Sequence, residues 1–306
     1  MIQVFYNGVD VTSNVSINRC YHDMYAEGQS DSLTMRFNDT NDRWDRWSPK
    51  IGDEIKVVYG AISTGTMFVS EIIPTNGLHA FKALSAPQSA FVRRYKAWEF
   101  VSLPMIAEEI AKRHGLLFEN RWSAGYVYKY ILQGNESDFS FLHKRCVLEG
   151  CAFLVYDKKL VIYQQSAMER QKPLETVTFS KATDYQYNDR SRYLYGSCLV
   201  EKGEYKGKHI ADATNPCVLL PQFDAAVGSN ADATRFAQGL LREANKGART
   251  GFIRGQIMPQ YAAASVLNIV NDRAPSWDGS VFLTHIRNNY ADGTSKMFFR
   301  KPLEGY

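Results

Sequence analysis

Cysteine is sparse and shows no pairing pattern. The five residues Cys20, Cys146, Cys151, Cys198 and Cys217 are odd in number and include no CxxC pair, which argues against a disulfide framework or a zinc ribbon and fits reduced, buried thiols. Long apolar runs are missing too, since none approaches the roughly 18 residues that a membrane-spanning helix needs. Met1 to Gly8 has no basic stretch leading into an apolar run. Neither membrane insertion nor a secretory signal is expected. The six histidines, His22, His79, His114, His143, His209 and His285, lack HxH or HxxxH spacing, so no metal site is expected. There is no Gly-x-Ser-x-Gly elbow. Glu108 and Glu109 are adjacent on a helix and point in different directions, against a paired-carboxylate hydrolase. Gly203 to His209 approximates a phosphate loop, but it is one residue short and has His209 where Ser or Thr would bind Mg²⁺. No catalytic residue and no cofactor is therefore expected, and the chain does not read as an enzyme. Excess charge is also small. The net charge is +4, and groups such as Arg93-Arg94-Tyr95-Lys96 read as solvated faces, so no sequence-specific nucleic-acid partner is expected.

What the chain does have is aromatic residues, at 13% with 18 Tyr and 17 Phe, which favour strands and interfaces. The 306 residues allow two or three domains. Residues 1–95 read as a β domain. Gln3 to Tyr6, an Asn7-Gly8 turn and Val9 to Val11 make a hairpin, followed by short strands at Ser32 to Phe37, Glu54 to Tyr59, Gly65 to Ile72 and Leu78 to Leu84. Residues 96–168 read as a small α/β domain. Ser102 caps a helix with apolar residues at Leu103, Ile106, Ala107, Ile110 and Ala111, ended by Gly115. A strand over Tyr126 to Leu132 leads into a second helix that starts at Asn135 or Ser137, carries acidic Glu136 and Asp138 at its positive end, and stops at Gly150. On that helix Phe139, Leu142 and Cys146 form one apolar stripe and Phe141 and Leu148 another. The bland reading buries both stripes within the chain, and the sharper one sends a stripe to another subunit. Ala152 to Tyr156 and Leu160 to Tyr163 form a hairpin around Asp157-Lys158-Lys159.

Ser166 to Pro173 reads as an exposed connector. Residues 169–306 read as a second β domain with one helix, Asn230 to Lys246, whose one-sided pattern packs it on a sheet. Lys202 to His209 reads as a loop tip. Gly65-Thr-Met-Phe-Val-Ser-Glu-Ile72 has an echo in Gly279-Ser-Val-Phe-Leu-Thr-His-Ile286. Each is preceded by a short apolar strand and followed by a hairpin turn, Asn76-Gly77 or Asp292-Gly293. The echo predicts two related β-barrels flanking the α/β unit, with Phe68 and Phe282 in equivalent environments. Alternation would place Phe68, Ser70 and Ile72 on one face and Met67, Val69 and Glu71 on the other.

The order Glu136-Ser-Asp-Phe139, one helix, Glu149-Gly150 and a strand pair resembles the central segment of phage tail hub proteins of the late control protein D family. Gly28 to Leu33, Trp47-Ser-Pro49 and Gly52-Asp53 stand where that family's first barrel has similar residues. These proteins are related to the trimeric hub of contractile-tail baseplates and to the hub of type VI secretion spikes. The resemblance implies a mainly β fold with α+β: two tail-tube-like barrels flanking a small α/β domain. It also implies a structural homotrimer, assembled in the bacterial cytoplasm into a virion or bacteriocin-like particle. There it joins a six-fold tail tube protein to a three-fold central spike protein and meets other baseplate proteins. Asp31, Trp47, Asp138 and Gly150 match the family pattern, with turn chemistry, core anchoring and helix termination as their expected roles. The chain stops at Tyr306, so spike and lytic functions are expected on other chains. The rival readings are a receptor- or carbohydrate-binding tail module that stacks exposed Tyr and Trp on sugars, and a peptidoglycan hydrolase.

Overall fold

The computed structural model describes residues 2–122 and 125–306. Asn7 and Gly8 both take positive φ, 47° and 80°, as a tight type I′ hairpin turn requires. That reversal folds β1 (Ile2–Tyr6) onto β2 (Val9–Asp10). The first β unit continues with β3 (Ser16–Tyr25) and β4 (Ser32–Asn38), then a helical turn α1 (Arg43–Trp47). After it come β5 (Glu54–Tyr59), β6 (Ile62–Ser63), β7 (Met67–Thr75) and β8 (Leu78–Leu84). Its core gathers Val4, Leu33, Met35, Phe37, Trp44, Val57, Met67, Val69 and Phe81.

The chain then enters the α/β body. Here β9 (Arg93–Ser102) runs into α2 (Leu103–Arg113), and β10 (Leu117–Arg121) precedes β11 (Val127–Ser137). Helix α3 (Asp138–Leu148) follows, with β12 (Cys151–Tyr156) and β13 (Lys159–Gln164) as the expected hairpin. Its turn residues Asp157 and Lys158 both have positive φ. Ser102 caps α2, accepting the Met105 N–H, and Ser137 caps α3, accepting the Ser140 N–H. Asn135 does not cap: it sits at positive φ in a bulge of β11. Gly150, at φ +65°, ends α3.

Next come α4 (Gln165–Glu169), β14 (Thr176–Thr178) and β15 (Asp184–Asp189), then β16 (Ser197–Lys202), β17 (Tyr205–Ile210) and β18 (Val218–Leu219). The end of the chain holds α5 (Asn230–Asn245), β19 (Arg249–Gln256), β20 (Val266–Val270), β21 (Gly279–Asn289) and β22 (Thr294–Arg300). Two expectations need correction here. Lys202 to His209 is a hairpin, with only Gly203 and Glu204 between its strands, because the pairing of β16 with β17 satisfies its backbone. Ser166 to Pro173 is not wholly exposed, because Glu169 of α4 is buried.

Helix α5 does pack on a sheet, the one formed by β16, β17 and β18. Its Ala233, Phe236, Ala237 and Leu241 share one core with Leu103 and Ile106 of α2 and with Phe139, Phe141 and Leu142 of α3. The helix therefore belongs with the α/β body rather than with the second β layer. Both stripes of α3 are buried inside this core, as in the bland reading of that helix.

The two β units have the same strand order. The first runs β3-β4-β8-β7-β5-β1 and the second β15-β19-β22-β21-β20-β14. Replacing each strand of the first by its counterpart in chain order gives the second. One orientation differs, since β1 is antiparallel to β5 while β14 is parallel to β20. The fold is thus mainly β with an α/β body. Among the described residues, neither β unit closes into a hydrogen-bonded barrel.

The echo seen in the sequence keeps its register in three dimensions. Phe68 lies opposite Glu54 and Leu84, and Phe282 opposite Val266 and Arg300. Both strands carry a bulge at the same place, leaving Ser70 and Thr284 without a cross-strand partner. The bulge corrects the alternation argument, because one extra residue reverses the faces beyond it. Ile72 therefore packs with Met67 and Val69 on the core face, as Ile286 packs with Val281 and Leu283.

Candidate functional site

The clearest seam in the fold joins the two β units. Strand β3 of the first pairs antiparallel with β21 of the second, from Tyr25 opposite His285 to Tyr21 opposite Asn289. Buried Asp23 accepts from His285 Nε2 at 2.6 Å and Arg287 Nε at 2.7 Å. Burial opposes its ionisation, but these bonds outweigh it and hold the carboxyl below the usual range. The Tyr25 and His285 rings stack at 4.4 Å, and His285 stacks on Phe298 at 4.8 Å. Deeper in, His22 Nδ1 meets the Tyr290 hydroxyl at 2.8 Å, and burial pulls this imidazole down to about 4, so it is neutral at pH 7. The seam is a continuous ladder with its charges paired.

Buried carboxylates tie the remaining parts together. Asp138, the first residue of α3, is fully buried. Its oxygens accept from Arg113 Nη1 at 2.8 Å, His114 Nε2 at 2.7 Å and Gln133 Nε2 at 2.9 Å. Burial would raise its pKa, yet the bonds from His114, Gln133 and Arg113 prevail and hold it at about 2. Glu149 receives Arg235 Nε at 2.6 Å and the Tyr128 hydroxyl. Glu169 of α4 is buried between Arg242 of α5 and Arg300 of β22, and so joins the α/β body to the second β unit. The sequence reading missed this cluster because its members lie far apart in the chain. A Glu inside a short connector carries no local signal.

One triad-like arrangement is present. The exposed Ser89 hydroxyl meets His114 Nδ1 at 2.8 Å, and His114 Nε2 meets Asp138 at 2.7 Å. In a hydrolytic triad the carboxylate stabilises the imidazolium that forms. Here Arg113 and Arg94 already offset the Asp138 charge, which weakens that role. Two of the clefts lie elsewhere. One, of about 630 Å³, is lined by residues including Leu132, Phe141, Arg145, Val147, Phe223 and Leu240. The other, of about 640 Å³, is lined by residues including Arg190, Tyr193 and Asn245. Among the described residues, no group of three or more His, Cys, Asp or Glu is placed to hold a metal ion.

The residues singled out in the sequence do not converge on one place. Asp31 does perform turn chemistry: its carboxylate accepts the Tyr25 N–H at 2.8 Å, and burial pushes it up to about 7. Trp47 is not the core anchor. It is 37% exposed and rests edge-on against Trp44, which is 1% exposed, because Trp44 lies on the inward side of α1. Phe139 and Leu142 are core, and Gly150 terminates α3. Phe68 and Phe282 hold equivalent register but not equivalent surroundings. Phe282 is fully buried among Ala152, Tyr163 and Val266, because the β12-β13 hairpin covers the outer face of β21 there, while Phe68 is only half-buried.

Exposed aromatics concentrate on the β9-β11 ribbon, where Tyr95, Phe100 and Tyr130 are 74%, 72% and 53% accessible. Trp98, Tyr128 and Ile131 of the same ribbon are buried against the α/β core.

No protein-family model matches the chain, and no curated protein matches its sequence. Solved structures do match in fold. A 43 kDa tail protein of prophage MuSo2 from Shewanella oneidensis superposes with a TM-score of 0.77 at 12% identity, covering 98% of both chains. A tail protein from Neisseria meningitidis MC58 gives 0.75 at 12% identity, over 98% of this chain and 95% of that one. The Escherichia coli c3393 protein gives 0.59 at 11% identity, over 94% of this chain and 73% of that one. It is described as a type VI secretion component with structural similarity to bacteriophage T4 tail proteins gp27 and gp5. The chain has the fold of these tail proteins.

Proposed function

We propose that the chain is a non-catalytic hub at the end of a phage tail or tail-like particle, a homotrimer that joins a six-fold tube to a three-fold spike. The observation that carries this reading is the repeated β unit, with its common strand order and common bulge. Three copies of a chain with two such units present six similar surfaces to the tube while keeping three-fold symmetry toward the spike. The likeness in fold to tail proteins supports the same reading, as does the c3393 protein's likeness to T4 tail proteins. On this view the tube, the spike and other baseplate proteins are the partners, and the virion or particle tip is the location. Electron microscopy of the assembled particle tests it: three copies at the tube–spike junction are expected, and any other number or position there refutes it.

A carbohydrate-binding module is the second reading, favoured by Tyr95, Phe100 and Tyr130 on one exposed ribbon. Against it, Trp44, Trp98, Trp122 and Trp277 are buried, and sugar-stacking sites would expose such rings. Glycan-array binding abolished by Tyr95→Ala together with Tyr130→Ala would favour the second reading over the hub.

A further inference from the structure

The buried arginines Arg242 and Arg300 share Glu169, whereas buried Arg145 forms no ion pair among the described residues. Arg145 lies in the last turn of α3 and is only 5% exposed. Its guanidinium carbon sits 5.3 Å from the centre of the Phe141 ring and 5.9 Å from that of Tyr128, and its Nη1 has no hydrogen-bond partner. The carboxylates nearby are already engaged. Glu149 is held by Arg235 at 2.6 Å, Glu136 by Lys144 at 2.6 Å and Glu243 by Lys246 at 2.5 Å. The negative end of α3 and the two rings offset part of the cost of burying this charge. They do not satisfy the donors of a guanidinium fork, and burial pulls its pKa down.

Arg145 lines the cleft of about 630 Å³, whose walls come from α3, α5, β11 and the segment that precedes α5. Apolar side chains dominate it, among them Phe141, Leu148 and Leu240, together with Tyr130 and Leu132 of β11, each 53% exposed. Gly134 and Glu136 continue the β11 wall at every second residue. Among the described residues β11 pairs only with β9, so its other edge offers main-chain groups to an extended segment. A Cβ at Gly134 would meet nothing within 4 Å, which leaves the groove open beside it. Asp224 also lines the cleft, but it is exposed to water and makes no bond to Arg145.

We propose that this cleft receives an extended segment of a partner protein, whose Asp or Glu side chain, set beside an apolar residue, pairs with Arg145. The carboxylate accepts from the planar fork at two nitrogens, a geometry that Lys cannot reproduce. The neighbouring apolar side chain fills the space between Phe141, Leu148 and Leu240, and main-chain bonds to β11 hold the segment extended. A fatty-acid carboxylate meets the same guanidinium but leaves the free edge of β11 unused, which favours the peptide. The inference goes beyond the hub reading and depends neither on the number of copies nor on the tube.

Selection from a library of random heptapeptides tests it, with the full-length chain as bait and its Arg145→Met variant for counter-selection. The selected peptides are expected to share an acidic residue next to an aromatic or aliphatic one. The tightest of them, made synthetically, should lose about ten-fold or more in affinity when that acid is replaced by its amide, and by a similar factor on Arg145→Met. The two changes together should cost little more than either alone, because they remove the same pair. Leu132→Asp, at an exposed position where the fold tolerates it, should weaken binding several-fold by setting a like charge beside the acid. Arg145→Met should leave the melting temperature unchanged or raise it, since it removes a buried charge that has no counter-ion. Peptides without a shared acid, losses that add in the double variant, no loss on Leu132→Asp, or a melting temperature lowered by several degrees on Arg145→Met each overturn the proposal. So does failure to select any peptide, and Arg145-dependent binding of dodecanoate in that case assigns the cleft to a fatty acid instead. The hub reading stands or falls separately, by the copies counted in the particle.

Discussion

The two β units share a plan but are fastened to the α/β body in different ways. The second unit is held by buried groups, with Glu169 between Arg242 and Arg300 and Phe282 packed among Ala152 and Tyr163. The first meets the tip of the β12-β13 hairpin through more exposed polar contacts. There the Thr66 N–H donates to Asp157 at 2.9 Å, the Tyr156 hydroxyl donates to the Ser63 carbonyl at 3.2 Å, and Lys158 pairs with Glu54. Further back, the Tyr163 hydroxyl reaches the Ala26 carbonyl. Repeating a unit thus preserves its hydrogen-bonded ladder, whereas what covers its outer face is set position by position.

The largest expected effect comes from the buried charge. Glu169→Ala leaves two guanidinium groups buried without their carboxylate and is expected to cost about 3 to 5 kcal/mol. Lys158→Ala at the exposed pair of the first unit should cost less than about 1 kcal/mol. Equal losses in denaturant melts would erase the distinction between the two attachments.

The paired phenylalanines sharpen it. Phe282→Ala is expected to cost about 3 to 5 kcal/mol, as for a fully buried ring. Phe68→Ala at the same register is expected to cost about 1 kcal/mol. Urea titrations of both variants check this, and similar midpoints would mean that the hairpin does not determine the burial of Phe282.

A pH profile separates the units by one carboxylate. Asp31, whose counterpart in the second unit is Arg249, holds its proton up to about 7, whereas an unfolded aspartate releases it near 3.8. The folded chain therefore binds more protons between those values, and stability falls as pH rises from about 4 through 7. Asp31→Asn should leave stability unchanged at pH 4 and raise it by about 2 to 4 kcal/mol at pH 8. Thermal melts across that range showing parallel curves for both proteins would count against a proton held by Asp31.

The smallest effect reverses the order of the units. Gly65 and Gly279 both have positive φ, 65° and 101°, so alanine is strained at either. A Cβ at Gly65 would lie 2.9 Å from the Asp157 backbone, while at Gly279 nothing comes nearer than 3.9 Å. Gly65→Ala is expected to cost roughly 2 kcal/mol and Gly279→Ala roughly 1 kcal/mol. Equal costs would show that the hairpin tip yields freely.

The amino-acid sequence determined whatever is written in neighbouring residues. Ser102 as a cap, Gly150 as a stop, the Asn7-Gly8 turn, the hairpin around Asp157 and the two apolar stripes of α3 follow from spacing and backbone preference. So does the echo around Phe68 and Phe282. The choice of Ser137 over Asn135 as cap and the burial of both stripes within the chain came from the structure. Tertiary structure alone decided how the repeated strands were modified and covered. A bulge has no consensus residue, so Ser70 and Thr284 gave no sign that Ile72 and Ile286 would turn inward. The choice of Trp44 over Trp47 as anchor rests on which side of one helical turn faces the sheet. The company of Glu169 comes from α5 and β22, 73 and 131 residues away, and hydrophobic period and local propensity carry no information about pairs so distant. The same distance hid the β3·β21 seam, because strand partners are selected by which buried faces meet, and that is settled only when the whole chain has packed.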